Sequence, residues 1–324
     1  MTQVVAMRAA GGPEVLSVGE IELPPPAAGE VRLRQTAVGV NFVDIYQRSG
    51  LYPVPALPAV LGVEGAGVVD AVGTGVSDLA AGDRVAYAGL PVGGYARARN
   101  IPRSRVVRVP DSIDDRTAAA AMLRGVTAHM LLARVYPVAR GTTILVHAAA
   151  GGLGLILTQW AKSLGATVIG TVGSPAKAEV AHAAGLDHAI LYRDNDFVAE
   201  VRRLTGCRGV DVAYDGIGGD TLQRTLDTVR PFGMVVSLGQ ASGDLPHISL
   251  NELGPRRSIA LARPSVFAYA GDPASYATAT GALFARIEAG LAVTIGLELD
   301  LVQAAEAHLQ LERGATTGSI LLRS

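Results

Sequence analysis

The sequence predicts an α/β protein in which an irregular β domain is interrupted by a doubly wound parallel sheet, and three observations lead there. From Thr142 to Arg263, apolar strand-like runs alternate with amphipathic helical stretches, the signature of βαβ units. Before Asp111 the chain is rich in Gly and Pro and broken into short β-like runs. After Arg263-Pro264 a mixture of helix and strand follows without a further βαβ unit, which fits a return to the first domain. With 324 residues, 49% of them hydrophobic, the chain can bury the two cores this arrangement requires.

The first domain offers VVAMRA, EVRLRQTAVGV, EGAGVVDAVG, DRVAYAG and SRVVRVP as strands. DSIDDRTAAAAMLRGVTAHMLLARVY then reads as one or two helices, with Ser112 and Asp114 as N-cap candidates. The boundary is placed near Arg124, giving a first domain over 1–124, an inserted domain over 125–264 and a completing segment over 265–324. Strands of the insert are TILVHA, ATVIGTV, HAILY, VDVAYD, GMVVSLG and SIALAR. Its helices are LGLILTQWAKSLG, PAKAEVAHAAG, FVAEVRRLTG and DTLQRTLDTVR. Each ends at glycine or a Pro/Gly turn, and right-handed crossovers then give a doubly wound sheet. The last segment carries the helices YATATGALFARIEAGLA and VQAAEAHLQLERG with the strands TIGLELDL and GSILLR.

Composition excludes several classes of function. Lys and Arg total 28 against 29 Asp and Glu, with no basic run to neutralise a phosphate backbone, so nucleic acid is not an expected partner. Cys207 is the sole cysteine, which rules out an internal disulfide and any thiolate-rich metal site and suits a reducing cytoplasm. No uninterrupted apolar stretch approaches the ~18 residues of a membrane span, and the first residues lack a signal-peptide pattern.

The strongest local element is TILVHAAAGGLG, an apolar strand running into Ala149-x-Gly151-x-x-Gly154 at the start of a helix. Small residues there let the backbone approach a pyrophosphate, whose charge rests on the free N–H groups of the helix terminus. Ala150, Gly151, Gly152, Leu153 and Gly154 are thus candidate cofactor residues. An NAD site places Asp or Glu at the end of the second strand, about 20 residues on, to hold the ribose 2′-hydroxyl. Here that stretch is IGTVGSPAK, and no acidic residue lies between Ala148 and Glu179. Gly173, Ser174, the ammonium of Lys177 and the hydroxyl of Tyr192 can instead receive a 2′-phosphate, which favours NADPH. Lys177 is one of only two lysines in the chain; its alternative reading is a solvated residue in a first helical turn. Leu238, Gly239, Arg263 and Ser265 lie at strand ends on the carboxyl edge of the sheet and are candidates for the nicotinamide side. His147, in the first strand of the insert, reads as a packed core residue.

LGVEGAGVVDAVGTGV followed by GDRV, then AAAGGLG and GTVGSPAKA, resembles the medium-chain dehydrogenase/reductase superfamily. NFVDIYQRSGLYPVPALP, QWAKSLGATVIGTVG, ARPS and ATTGSILL narrow the resemblance to its NADPH:quinone oxidoreductase branch, the zeta-crystallin-like proteins. This implies a GroES-like catalytic domain interrupted by a Rossmann domain, and commonly a homodimer. In zinc-dependent relatives a His ligand precedes the EGAG segment. Here Val63 stands there, and no cysteine occurs before Cys207, so no metal site is expected. Without a Lewis acid an electron-poor acceptor is favoured over a simple alcohol or ketone. The resemblance puts Asn41, Tyr46 and Tyr52 beside the nicotinamide and the acceptor cavity and puts Thr127 at the cofactor. Two positions depart from the relatives. His129-Met130 replaces an aromatic pair, and Arg313 is separated from Ala315 by Gly314 where the relatives' arginine directly precedes Ala-Thr.

The expected function is therefore zinc-independent transfer of reducing equivalents from NADPH to a quinone, with one-electron and hydride transfer both open. The alternatives are reduction of an α,β-unsaturated carbonyl, where a donor such as Tyr52 must protonate carbon, and an NADPH-binding protein with little turnover. A homodimer is expected through SIALAR, since an uncovered apolar edge strand is a liability.

Overall fold

The structure, a computed structural model, describes residues 1–324. It divides into two compact units, one of residues 1–126 with 266–324 and one of residues 127–265. The divisions fall two residues and one residue beyond the boundaries read from composition. The first lies inside a continuous helix, where composition does not change.

The first unit begins with β1 (Thr2–Met7), β2 (Leu16–Ile21), β3 (Glu30–Val40), α1 (Phe42–Arg48), β4 (Ala59–Val60), β5 (Glu64–Val72), β6 (Arg84–Ala88), β7 (Ala98–Pro102) and β8 (Val106–Arg108), and leads into α2 (Asp115–His129). β3 is the organising strand. It pairs antiparallel with both β5 and β7, and its alternating side chains send Val31 and Leu33 into a core with Val69, Val85, Tyr87 and Ile101. Asp114 accepts the Thr117 N–H at 2.7 Å and so caps α2, as expected for one of the two candidates. Ser112 does not cap it; its hydroxyl donates to Glu288.

The second unit contains β9 (Thr143–Val146), α3 (Gly152–Ser163), β10 (Thr167–Val172), α4 (Pro175–Ala183), β11 (His188–Leu191), α5 (Phe197–Leu204), β12 (Val210–Asp215), α6 (Gly219–Thr225), β13 (Val229–Ser237), α7 (Leu250–Leu253) and β14 (Ala260–Ala262). All six strands are parallel in the order β11-β10-β9-β12-β13-β14. This is the doubly wound order with its switch point between β9 and β12. Central β12 is buried at every residue, as a parallel strand covered on both faces must be. α6 is shorter than DTLQRTLDTVR suggests. The Thr228 hydroxyl donates to the Thr225 carbonyl, and the β-branched pair Thr228-Val229 turns the chain into β13.

The chain then adds α8 (Val266–Gly271), α9 (Pro273–Glu288), β15 (Ile295–Asp300), α10 (Ala304–Glu312) and β16 (Ser319–Arg323). β16 pairs antiparallel with β3, placing Ile320 opposite Val40, and β15 runs parallel to β16. The last segment thus completes the first unit's sheet, β15-β16-β3-β5-β6-β8. α10 buries Ala304 and Ala307 in a core with Met7, Val38, Leu61 and Ile320.

Candidate functional site

In the second unit the phosphate loop follows β9 directly. Ala148 adopts a positive φ of 53°, and its carbonyl accepts the Gly151 N–H at 2.9 Å, closing a tight turn into α3. Gly151 is the N-cap of that helix. A Cβ on Gly154 would lie 2.4 Å from the Ala148 oxygen, so only glycine lets the first turn pack this closely on the loop. Gly170 in β10 serves the same end: a Cβ there would meet the Ala149 methyl at 2.5 Å. The outcome is a bare helix terminus whose first N–H groups have no intrahelical acceptor, an arrangement that fits a dinucleotide pyrophosphate.

At the end of β10, Ser174 caps α4 by accepting the Lys177 N–H at 3.4 Å. The Tyr192 hydroxyl lies 3.3 Å from the position a Gly173 Cβ would occupy, and Arg193 Nε lies 3.7 Å from it. Gly173 and Tyr192 therefore meet, with Ser174 and Lys177 in the same turn. Arg193 joins them as a residue that sequence reasoning missed; its only signal was adjacency to Tyr192. On the carboxyl edge, the Leu238 N–H donates to the Asp215 carbonyl at 2.6 Å, and Asp215 Oδ1 holds the N–H groups of Ile217 and Gly218. Arg263 bridges Ser237 and Gln240 at 2.8 and 3.1 Å, with Gly239 between them and Ser265 just beyond β14.

His147 is buried but is more than a packed core side chain. Nδ1 meets Thr171 and Nε2 meets Thr225, both at 2.9 Å, and the Thr225 hydroxyl donates to Asp215 Oδ2. Burial holds this imidazole below its usual range, against the pull of Asp215, so it is a neutral link beneath the loop edge. Thr127 lies near the end of α2, and the His129 ring meets Trp160 with centroids 5.9 Å apart.

In the first unit the N-terminus of α1 is built from Asn41. Its main-chain N–H donates to Asp44 Oδ2 at 2.8 Å, and its side-chain Nδ2 donates to Glu64 Oε2 at 2.7 Å. Glu64, fully buried on β5, also receives the Leu123 N–H at 2.7 Å and Arg124 Nη1 at 2.9 Å. Burial raises the Glu64 carboxyl above its ordinary range although Arg124 and the N–H donors pull against it. One amide proton of Asn41 is thus committed to Glu64, which leaves the other for a ligand. Tyr46 is buried and Tyr52 half-buried. Their rings meet edge to face at 5.2 Å, and the Tyr52 N–H donates to the Tyr46 carbonyl. Tyr52 also lines an open depression of about 340 Å³ with Met7, Gln47, Pro53, Val54 and Leu57. Arg313 is exposed at the end of α10.

These residues do not fit a zinc ion. Val63 is buried and carries no donor atom, Glu64 is committed to Arg124, Asn41 and Leu123, and the chain brings no three His, Cys, Asp or Glu side chains together as a ligand set.

Residues 27–111 match the family model of the alcohol dehydrogenase GroES-like domain, and residues 152–284 match that of the zinc-binding dehydrogenases. A quinone oxidoreductase of Pseudomonas aeruginosa is 43% identical over 99% of both chains. A 2-haloacrylate reductase of a Burkholderia species is 42% identical over 99% of both. The crystal structure of Escherichia coli quinone oxidoreductase complexed with NADPH superposes with a TM-score of 0.96 at 40% identity, covering 99% of this chain and 100% of that one. The chain belongs to the quinone oxidoreductase family of the medium-chain dehydrogenase/reductase superfamily.

Proposed function

We propose that the protein transfers reducing equivalents from NADPH to quinones without a metal ion. The observation that carries this reading is the full-length likeness to a quinone oxidoreductase complexed with NADPH. It is joined to a second strand that ends in Gly173-Ser174 where an NAD site would carry a carboxylate. When bound, NADPH supplies the reducing equivalents, and the chain supplies position and electrostatics. The α3 terminus and the loop Ala150 to Gly154 hold the pyrophosphate. Gly173, Ser174, Lys177 and Tyr192 hold the 2′-phosphate, and Leu238, Gly239, Arg263, Ser265 and Thr127 contact the remainder. Asn41 donates its remaining amide proton to a carbonyl oxygen as negative charge gathers there, while Tyr46 and Tyr52 line the acceptor and can donate to its second oxygen.

The test is NADPH consumption with benzoquinone, phenanthrenequinone and an enone, repeated with NADH. Quinone-dependent consumption with a strong NADPH preference is the expected result. Activity confined to the enone would replace it with double-bond reduction, the second reading, which the full-length likeness to a 2-haloacrylate reductase favours. In that case Tyr52→Phe should lose enone activity, because the carbon must be protonated.

The working form is proposed to be a cytoplasmic homodimer. The free, exposed Cys207 suits a reducing compartment, and no helix is long and apolar enough to cross a membrane. The edge strand β14 has three residues, and Phe232 in β13 and Leu250 in the connection between β13 and β14 are 85% and 83% exposed.

A further inference from the structure

The helix that carries Asn41 and Tyr46 also buries a carboxylate with no assigned part in the reaction. Asp44 is completely enclosed. Its Oδ2 accepts the main-chain N–H of Asn41 at 2.8 Å and the Tyr95 hydroxyl at 3.1 Å, whereas its buried Oδ1 has no hydrogen-bond partner. A relay stands behind Tyr95. The Tyr95 oxygen lies 2.8 Å from His308 Nε2, Arg48 Nη1 lies 3.4 Å from His308 Nδ1, and Arg48 makes a two-pronged ion pair with Glu312. An arginine N–H can only donate, so Nδ1 is the acceptor and the imidazole proton sits on Nε2. Nε2 then donates to Tyr95, whose own proton is left for Asp44. The relay therefore has one direction, from Arg48 to Asp44.

We propose that Asp44 is a positioning residue for the reaction: its Oδ2 anchors the main chain of Asn41, the Arg48–His308–Tyr95 relay anchors Asp44, and a proton gained or lost at Oδ1 sets how firmly Asn41 is held. This rests on the reading of Asn41 as the residue that meets the acceptor. Oδ1 is the atom to protonate, because a proton there leaves both Oδ2 contacts standing and only weakens Oδ2 as an acceptor. The groups facing Asp44 are Tyr95, Glu64 of β5, Arg124 of α2, and, through the relay, His308 of α10 and Arg48 of α1 itself. Burial dominates and Glu64 adds to it. The bonds from Asn41 and Tyr95 and the charge of Arg124 oppose them, and the carboxyl is pushed up to about 7. His308 is held down to about 3 by burial and by Arg48, so it remains neutral. Asp44 is thus the member of this relay that changes charge near neutral pH.

The link is read directly by the amide resonance of Asn41 in the full-length protein, followed by heteronuclear NMR against pH. The expected result is a titration with a midpoint near pH 7 that vanishes in Asp44→Asn. In Tyr95→Phe it should move alkaline by roughly half to one unit, since the lost hydroxyl favoured the ionised form. An Asn41 amide that does not titrate, or that titrates unchanged in Asp44→Asn, overturns the proposal. In the quinone assay, kcat should rise about three- to tenfold through the same midpoint while the KM for NADPH stays level, and Asp44→Asn should flatten that rise. A kcat profile left unchanged by Asp44→Asn overturns the positioning role. Lack of turnover with every acceptor would instead strike at the quinone reading and leave the amide titration to judge the link from Asp44 to Asn41.

Discussion

Lys177 and Arg193 offer two cations at the end of β10, and the missing carboxylate between Ala148 and Glu179 lets a phosphate approach them. A charge-assisted bond to a phosphate contributes about 1.5–3 kcal/mol. Lys177→Ala should therefore raise the KM for NADPH by about tenfold or more and leave that for NADH nearly unchanged. Arg193→Ala should act in the same direction with a smaller effect, because its side chain is exposed. Equal effects on the two cofactors in steady-state kinetics would move the 2′-phosphate elsewhere. Asp44 and His308 give a second expectation at this scale. Asp44 rises from its ordinary 3.8 to about 7, so between these values the folded chain holds a proton that the unfolded chain lacks, and stability falls as pH rises. His308 drops from 6.5 to about 3, so there the unfolded chain holds the extra proton and stability rises with pH. The two slopes oppose each other between about pH 4 and pH 6.5. Thermal unfolding of Asp44→Asn should thus show stability climbing with pH across that window, and His308→Gln should show it falling. Variants that both keep the wild-type profile would show that these groups do not titrate as the burial demands.

The elements differ in how much of them the sequence discloses, and the reason is the range of the interactions that decide them. The six parallel strands of the second unit are legible because each is an apolar run set between helices with local stop signals. β2, β4 and β7 are not. LSVGEI is largely exposed, Ala59–Val60 is two residues long, and ARNIP carries an arginine and a proline; only pairing with β1 and β3 makes them strands. The candidate site divides in the same way. The phosphate loop is written in the spacing of three small residues, whereas the cluster around Asn41 draws Glu64, Tyr95, Arg124 and His308 from four distant segments. Each of these is a residue type that ordinarily faces solvent or packs alone, so nothing local announces its burial. Asp44 sits inside NFVDIY, where no neighbouring residue in sequence signals its burial. The strand-loop-helix element around Gly154 can be tested alone. Gly154→Val places a side chain 2.4 Å from the Ala148 carbonyl, so the loop must open, and the cradle proposed for the pyrophosphate would be lost. NADPH binding by fluorescence titration should weaken by at least an order of magnitude, while far-ultraviolet circular dichroism stays near that of the wild type. Unchanged binding would remove the loop from the cofactor site.

On the scale of the whole molecule the sheet of the second unit presents β14 as an edge strand of only three residues. An unpaired edge is a template for another strand, and two-fold pairing of β14 with its mate would continue the sheet across two copies. Phe232 is 85% exposed in a left-handed conformation with φ of 63°, a geometry a bulky residue rarely adopts without a compensating contact. Its N–H donates to the Ser258 carbonyl at 2.7 Å, which holds its main chain against the segment leading into β14. Leu250 is 83% exposed on α7, in the connection between β13 and β14. Burying one phenylalanine contributes about 2 kcal/mol, roughly a thirtyfold change in an equilibrium constant. Because an isologous interface uses each residue twice, Phe232→Asp should weaken dimerisation by about a thousandfold. Light scattering on the wild-type protein should give twice the 33.3 kDa of the chain, and on Phe232→Asp a mass that falls toward one chain on dilution. A wild-type mass of one chain would leave Phe232 and β14 exposed in solution and end the dimer proposal. A dimer that survives both Phe232→Asp and Leu250→Asp would place the interface on another face.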